Sequence, residues 1–229
     1  LDGTKLACAE MLKGGTTCFN DMYFFPEESA KAALASGMRG AIGMLTIDFP
    51  TAYASDAEDY LAKGLEMRDE YRHHPLLSFC FAPQAPYTVS DRTLASILTY
   101  AEQLDLPIHI QLHETKAEIS HSLENFGMRP IARLHKLGLL SPGLIGVNMI
   151  HLTKEEIELT GSQGCSVSHC PSSNLKLANG FAPVSALLRQ GVNVGLGTDG
   201  AASNNRIDMF EEMRLAALLA KGQSNRADE

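Results

Sequence analysis

Several motifs that would place this sequence in a common nucleotide-binding or hydrolytic fold are missing. No G-x-G-x-x-G follows the first strand-like run and no G-x-x-x-x-G-K-[ST] occurs anywhere, so dinucleotide and P-loop folds have no support. The G-x-S-x-G elbow of α/β serine hydrolases is absent too. No Lys/Arg-rich run occurs, and acidic residues outnumber basic ones 27 to 19 for a net charge of −8. A nucleic-acid partner is therefore not expected. No apolar stretch approaches the roughly 20 residues of a membrane helix, so no membrane partner is expected either. The five cysteines form no C-x-x-C pair, which reads as reduced thiols in a cytoplasmic protein. No signal or transit peptide is visible. The sequence opens at Leu1 beside a helical run, and we expect it to be a piece of a longer protein.

What is present is an alternation. With 45% hydrophobic and 20% charged residues in 229, the composition is that of a soluble globular chain. Strand-like runs lie at 16–22, 40–47, 75–83, 107–112, 144–150, 165–169 and 192–196. Helical periodicity lies at 4–13, 26–36, 56–71, 90–104, from 116, 130–137, from 153, 183–190 and 207–221. Ser90 reads as an N-cap, and Thr153-Lys154-Glu155-Glu156 has capping-box spacing. The strands are near-continuous apolar runs, as in parallel sheets covered on both faces. Seven β/α units predict an incomplete (β/α)8 TIM-type barrel over 1–221, followed by a polar tail at 222–229.

In such a barrel, polar residues at the carboxyl ends of the strands line one mouth. Here these are Asn20, Asp21, Asp48, Gln84, His113, Glu114, Asn148, His151, His169 and Asp199. Asp199 closes the last strand in Gly195-Leu196-Gly197-Thr198-Asp199-Gly200, where Asp-Gly could equally be a simple turn. The run Ile108 to His113 alternates strictly, which puts His109, Gln111 and His113 on one face. Three polar residues turned inward need partners, because an unpaired buried polar group costs about 1–3 kcal/mol. A hydrogen-bonded polar layer and a functional site both satisfy that need, and the site is the sharper expectation.

The stretch Leu196 to Asn205 resembles the last-strand motif of the amidohydrolase superfamily. More narrowly it is similar to the 5-methylthioadenosine/S-adenosylhomocysteine deaminases and related chlorohydrolases. Glu10 to Tyr23, Pro86-Tyr87-Thr88-Val89, Leu112-His113-Glu114-Thr115 and Ser168 to Leu177 fit the same family in the same order. The resemblance implies a (β/α)8 barrel whose first strand and small flanking β domain lie outside this sequence. It also implies a divalent metal, usually zinc, and hydrolytic deamination of a small adenine nucleoside, with homo-oligomers frequent. By position Asp199 would be a metal ligand and proton acceptor, and Glu114 would carry a proton to the purine. Ser203 and His169 would lie by the substrate. The family expects histidine ligands at positions 111 and 148 and a substrate-contacting histidine at 84. Here they are Gln111, Asn148 and Gln84. A carboxamide oxygen is a far weaker zinc donor than imidazole nitrogen. Metal is therefore expected to be weak or absent and the chain to be without turnover, as a pseudoenzyme or an inactivated fragment.

Overall fold

The computed structural model describes residues 1–228. Ten helices and seven strands alternate among them, and two compact units divide at Ile110/Gln111.

The first unit begins with α1 (Asp2–Lys13), stopped by Gly14-Gly15, and then β1 (Cys18–Asp21). Pro26 opens α2 (Pro26–Ser36) at its first position, where a missing N–H costs nothing, and Gly37 closes it with φ 67°. Next come β2 (Arg39–Thr46), α3 (Ala57–Tyr71) with Asp56 as N-cap, β3 (Leu77–Pro83) and α4 (Asp91–Leu104). Ser90 caps α4 as its sequence implies, accepting from the Thr93 N–H. β1, β2 and β3 pair in parallel, and Phe81 of β3 is in register with Ile108 at the start of β4 (Ile108–Leu112). Ile42, Met44, Phe81 and Tyr60 are fully buried between these strands and their helices. Gly43 admits no side chain, because a Cβ would stand 2.3 Å from the Asp21 carbonyl oxygen on the neighbouring strand.

The second unit takes up the end of β4. It continues through α5 (Lys116–Phe126), α6 (Pro130–Lys136), β5 (Leu144–Asn148), α7 (Lys154–Ser162) and β6 (Ser166–His169). It ends with α8 (Pro171–Lys176), α9 (Val184–Arg189), β7 (Asn193–Leu196) and α10 (Met209–Ser224). β5, β6 and β7 are parallel and in consecutive register. α7 carries the full capping box: Thr153 accepts from the Glu156 N–H and Glu156 reaches back to the Thr153 N–H at 2.8 Å. α10 continues into the polar tail as far as Ser224.

Two local expectations are corrected. The alternation of β4 stops at Leu112, because His113 adopts a left-handed backbone (φ 54°) and leaves the face it would have shared with His109 and Gln111. The helix α8 lies in a Ser/Asn-rich stretch for which no element was expected, since such side chains compete with the backbone for hydrogen bonds and carry little helical signal.

Candidate functional site

The carboxyl ends of β4, β5, β6 and β7 supply the polar residues of the second unit. At three of these ends the chain turns through left-handed backbone, at His113 (φ 54°), Asn148 and Met149 (φ 73° and 49°) and Asp199 (φ 56°). Such angles are uncommon outside glycine and persist only when the surroundings hold them.

The β4 end is held from every side. The His113 carbonyl accepts from Ile150 N–H and His151 N–H, both at 3.0 Å, and the Leu112 carbonyl accepts from Met149 N–H. The His113 ring is fully buried. Its Nε2 accepts from Ile131 N–H at 3.0 Å, which leaves Nδ1 as the protonated nitrogen, donating to the His151 carbonyl at 3.1 Å. Burial pushes its pKa down to about 4. His113 is thus a neutral structural pin rather than a residue turned toward a ligand. Arg129 braces the same corner, forming a two-pronged ion pair with Glu156 at 2.7 and 3.0 Å and donating to the His151 carbonyl.

Glu114 follows immediately. Asn179 donates to its Oε1 at 3.0 Å. Burial raises its pKa, the negative charge of Asp199 raises it further, and the Asn179 and Asn148 amides offset part of the rise. So Glu114 feels the charge of Asp199, the other acid singled out in the sequence. Asp199 Oδ2 accepts from Ser173 at 2.6 Å and from Ser203 at 2.9 Å, and its Oδ1 accepts from Gly200 N–H at 2.8 Å. Asn148 is fully buried. Its Oδ1 accepts from Asn174 Nδ2 at 2.7 Å. That bond commits the oxygen, while the Asn148 amide nitrogen is buried without a hydrogen-bond partner among the described residues. His169 ends β6, is buried, and burial alone lowers its pKa to about 4.

Ser203 is therefore bonded to Asp199, the charge of Asp199 acts on Glu114, and Asn148 is bonded to Asn174, all within one unit. Gln111 is the next-to-last residue of β4, three residues before Glu114. Gln84 lies in the first unit, after β3, where it accepts from the Thr88 hydroxyl at 2.9 Å and its N–H donates to the Thr46 carbonyl. Three residues escaped sequence reasoning: Ser173, Asn174 and Asn179. All three lie in or beside α8, and the missed helix is the reason. Its single turn brings Ser173 to Asp199 and Asn174 to Asn148.

The model of the amidohydrolase family matches residues 2–229. The chain belongs to the amidohydrolase family. A 5-methylthioadenosine/S-adenosylhomocysteine deaminase of Saccharophagus degradans is 52% identical over 228 residues, which is 100% of this chain and 51% of that protein. A 5′-deoxyadenosine deaminase of Methanothrix thermoacetophila is 40% identical over 219 residues, 96% of this chain and 51% of that one. Among solved structures, an adenosine deaminase from Xanthomonas campestris with bound zinc matches with a TM-score of 0.97 at 51% identity, covering 99% of this chain and 52% of that one. The chain spans about half the length of the curated relatives it matches. The seven β/α units expected from the alternation are thus those of a truncated TIM-type amidohydrolase barrel.

Amidohydrolases are metal-dependent, and the donors present can be tested against zinc. Zinc in proteins takes imidazole, thiolate or carboxylate. Positions 111 and 148 offer carboxamides, the Asn148 oxygen is already committed to Asn174, and both Asp199 oxygens accept hydrogen bonds. Among the described residues no group of three or more His, Cys, Asp or Glu side chains could hold a metal ion. The residues present do not fit the zinc centre of the family.

Proposed function

We propose that this chain comes from a metal-dependent aminohydrolase of adenine nucleosides (5-methylthioadenosine, S-adenosylhomocysteine or adenosine) and that, as written, it binds such a nucleoside without deaminating it. The observation that carries this reading is the half-buried Glu114 carboxyl, held by the Asn179 amide and raised in pKa by burial and by the charge of Asp199. A carboxyl whose pKa is raised by burial and a neighbouring carboxylate keeps its proton to higher pH than an ordinary glutamate, which suits it to donating to a purine nitrogen. Ser203 and His169 are the further proposed substrate contacts. Gln84 enters by resemblance alone. Asp199 is the one family ligand retained. Turnover is not expected, because the imidazoles at 111 and 148 are replaced. On resemblance alone we further propose a cytoplasmic protein able to form homo-oligomers.

Calorimetric titration with adenosine and methylthioadenosine after exhaustive treatment with chelator tests the binding. Saturable heat without metal supports it, and a flat titration removes it. Stoichiometric zinc by elemental analysis, together with deamination of methylthioadenosine, would overturn the claim of inactivity. Installing Gln84→His, Gln111→His and Asn148→His in a chain that includes the preceding strand is expected to bring zinc and turnover together.

A further inference from the structure

The carboxylate of Glu118 has no part in the assignments above. It is buried at 4% exposure in the first turn of α5. Its Oε1 accepts from the His113 N–H at 2.8 Å and its Oε2 from the Glu114 N–H, also at 2.8 Å. Thr115 caps the same helix through the Glu118 N–H. The two bonded amides are consecutive, and the first belongs to the left-handed His113. A first-turn glutamate that needed only to complement a helix terminus would reach its own helix's free N–H groups. This one reaches back across the cap to the strand end that carries Glu114.

We propose that Glu118 is a positioning residue for Glu114: its two oxygens clamp the His113 and Glu114 amides and so fix the direction in which the Glu114 carboxyl leaves β4. The inference rests on the nucleoside-binding reading for its effect on ligand affinity, but not for its effect on the backbone.

The chemistry of the clamp makes it specific to an ionised carboxylate of this length. Two N–H donors need two acceptor oxygens. A glutamine supplies one and sets its NH2 against the other donor. An aspartate is one methylene short of spanning both. The groups that face Glu118 are the His113, Glu114 and Thr115 amides, which favour its charge, and the Glu114 carboxylate, which opposes it. Burial outweighs the amides and pushes its pKa up to about 7. The clamp therefore weakens as the pH is lowered through neutrality.

The test compares the full chain with its Glu118→Gln and Glu118→Asp variants. In proton–nitrogen correlation spectra of the wild type, the His113 and Glu114 amides are expected far downfield and slow to exchange. Both should move upfield as the pH falls through about 7. In Glu118→Gln at least one should lie upfield at every pH, while amides remote from β4 stay in place. Adenosine affinity of Glu118→Gln should fall about tenfold, the equivalent of one charged hydrogen bond, and Glu118→Asp should not restore it. Unperturbed His113 and Glu114 amides in Glu118→Gln would overturn the clamp. Perturbed amides with unchanged adenosine affinity would overturn the positioning of Glu114. Should the wild type bind no adenosine, the nucleoside reading fails by itself, and the amide shifts and their pH dependence still decide whether the clamp exists.

Discussion

Asp199 illustrates what a single residue holds at this site. Its carboxylate accepts from two serine hydroxyls and one backbone N–H, and Ser173 is fully buried. Ser173→Ala leaves a buried oxygen short of a donor, and the expected loss is about 1–3 kcal/mol in urea unfolding. Ser203→Ala should cost less, because Ser203 keeps a path to water at 8% exposure. His113 gives a prediction with a sign. Its pKa is about 4 in the fold against an ordinary 6.5. The unfolded chain therefore binds the proton first, and the stability due to the neutral ring is present above 6.5 and lost as the pH falls toward 4. In His113→Gln that slope disappears. The stability gap between wild type and variant should accordingly shrink as the pH drops from 6.5 to 4, measured by thermal melts at fixed ionic strength.

Among the elements, α7 depends on close approach at one point and on its cap at another. A Cβ at Gly161 would stand 2.7 Å from the Gln190 carbonyl oxygen at the end of α9. Backbone cannot yield cheaply, so Gly161→Ala should destabilise by about 1–3 kcal/mol in spite of its better helix propensity. Thr153→Ala removes the cap hydroxyl and should cost about 1 kcal/mol. The two substitutions act on opposite ends of one helix with no shared partner, so their effects on urea midpoints should add. Elements of this kind were legible in the sequence. Pro26 and Gly37 bound α2 at its observed ends, Ser90 and Thr153 cap where they were expected to, and all seven strands lie at the expected positions. The signals there are local, a cap or a run of apolar residues. α8 was not legible, because its side chains find their partners far along the sequence, Ser173 at Asp199, Asn174 at Asn148 and Lys176 at Asn205. His113 was misread for a related reason: periodicity assigns faces only while the strand lasts.

For the molecule as a whole, the question is whether this amidohydrolase chain can be returned to metal binding. Gln111→His alone leaves Asp199 and one imidazole, with the Asn148 oxygen still held by Asn174. It should gain no zinc that survives dialysis. Gln111→His with Asn148→His offers three donors of the types zinc prefers. It should retain metal by elemental analysis and melt higher when zinc is added. Equal zinc retention in the single and double variants would show that position 148 is not the obstacle. The fold class could be anticipated from the alternation of strands and helices and from motif order. The amide bonds from Asn174 to Asn148 and from Asn179 to Glu114 could not, since they depend on which atom of each amide meets which neighbour.

The left-handed backbone at Asn148 also filters which mutations the chain can survive. At φ 73°, asparagine, aspartate, histidine and glycine are tolerated far better than β-branched side chains. Any lineage that loses imidazole at this point is steered toward asparagine rather than toward a hydrophobic replacement. Position 111, inside β4, is under no such restriction, and there a glutamine sits without difficulty. In a library covering all amino acids at 148, folded survivors should cluster on that short set, whereas the library at 111 should stay diverse.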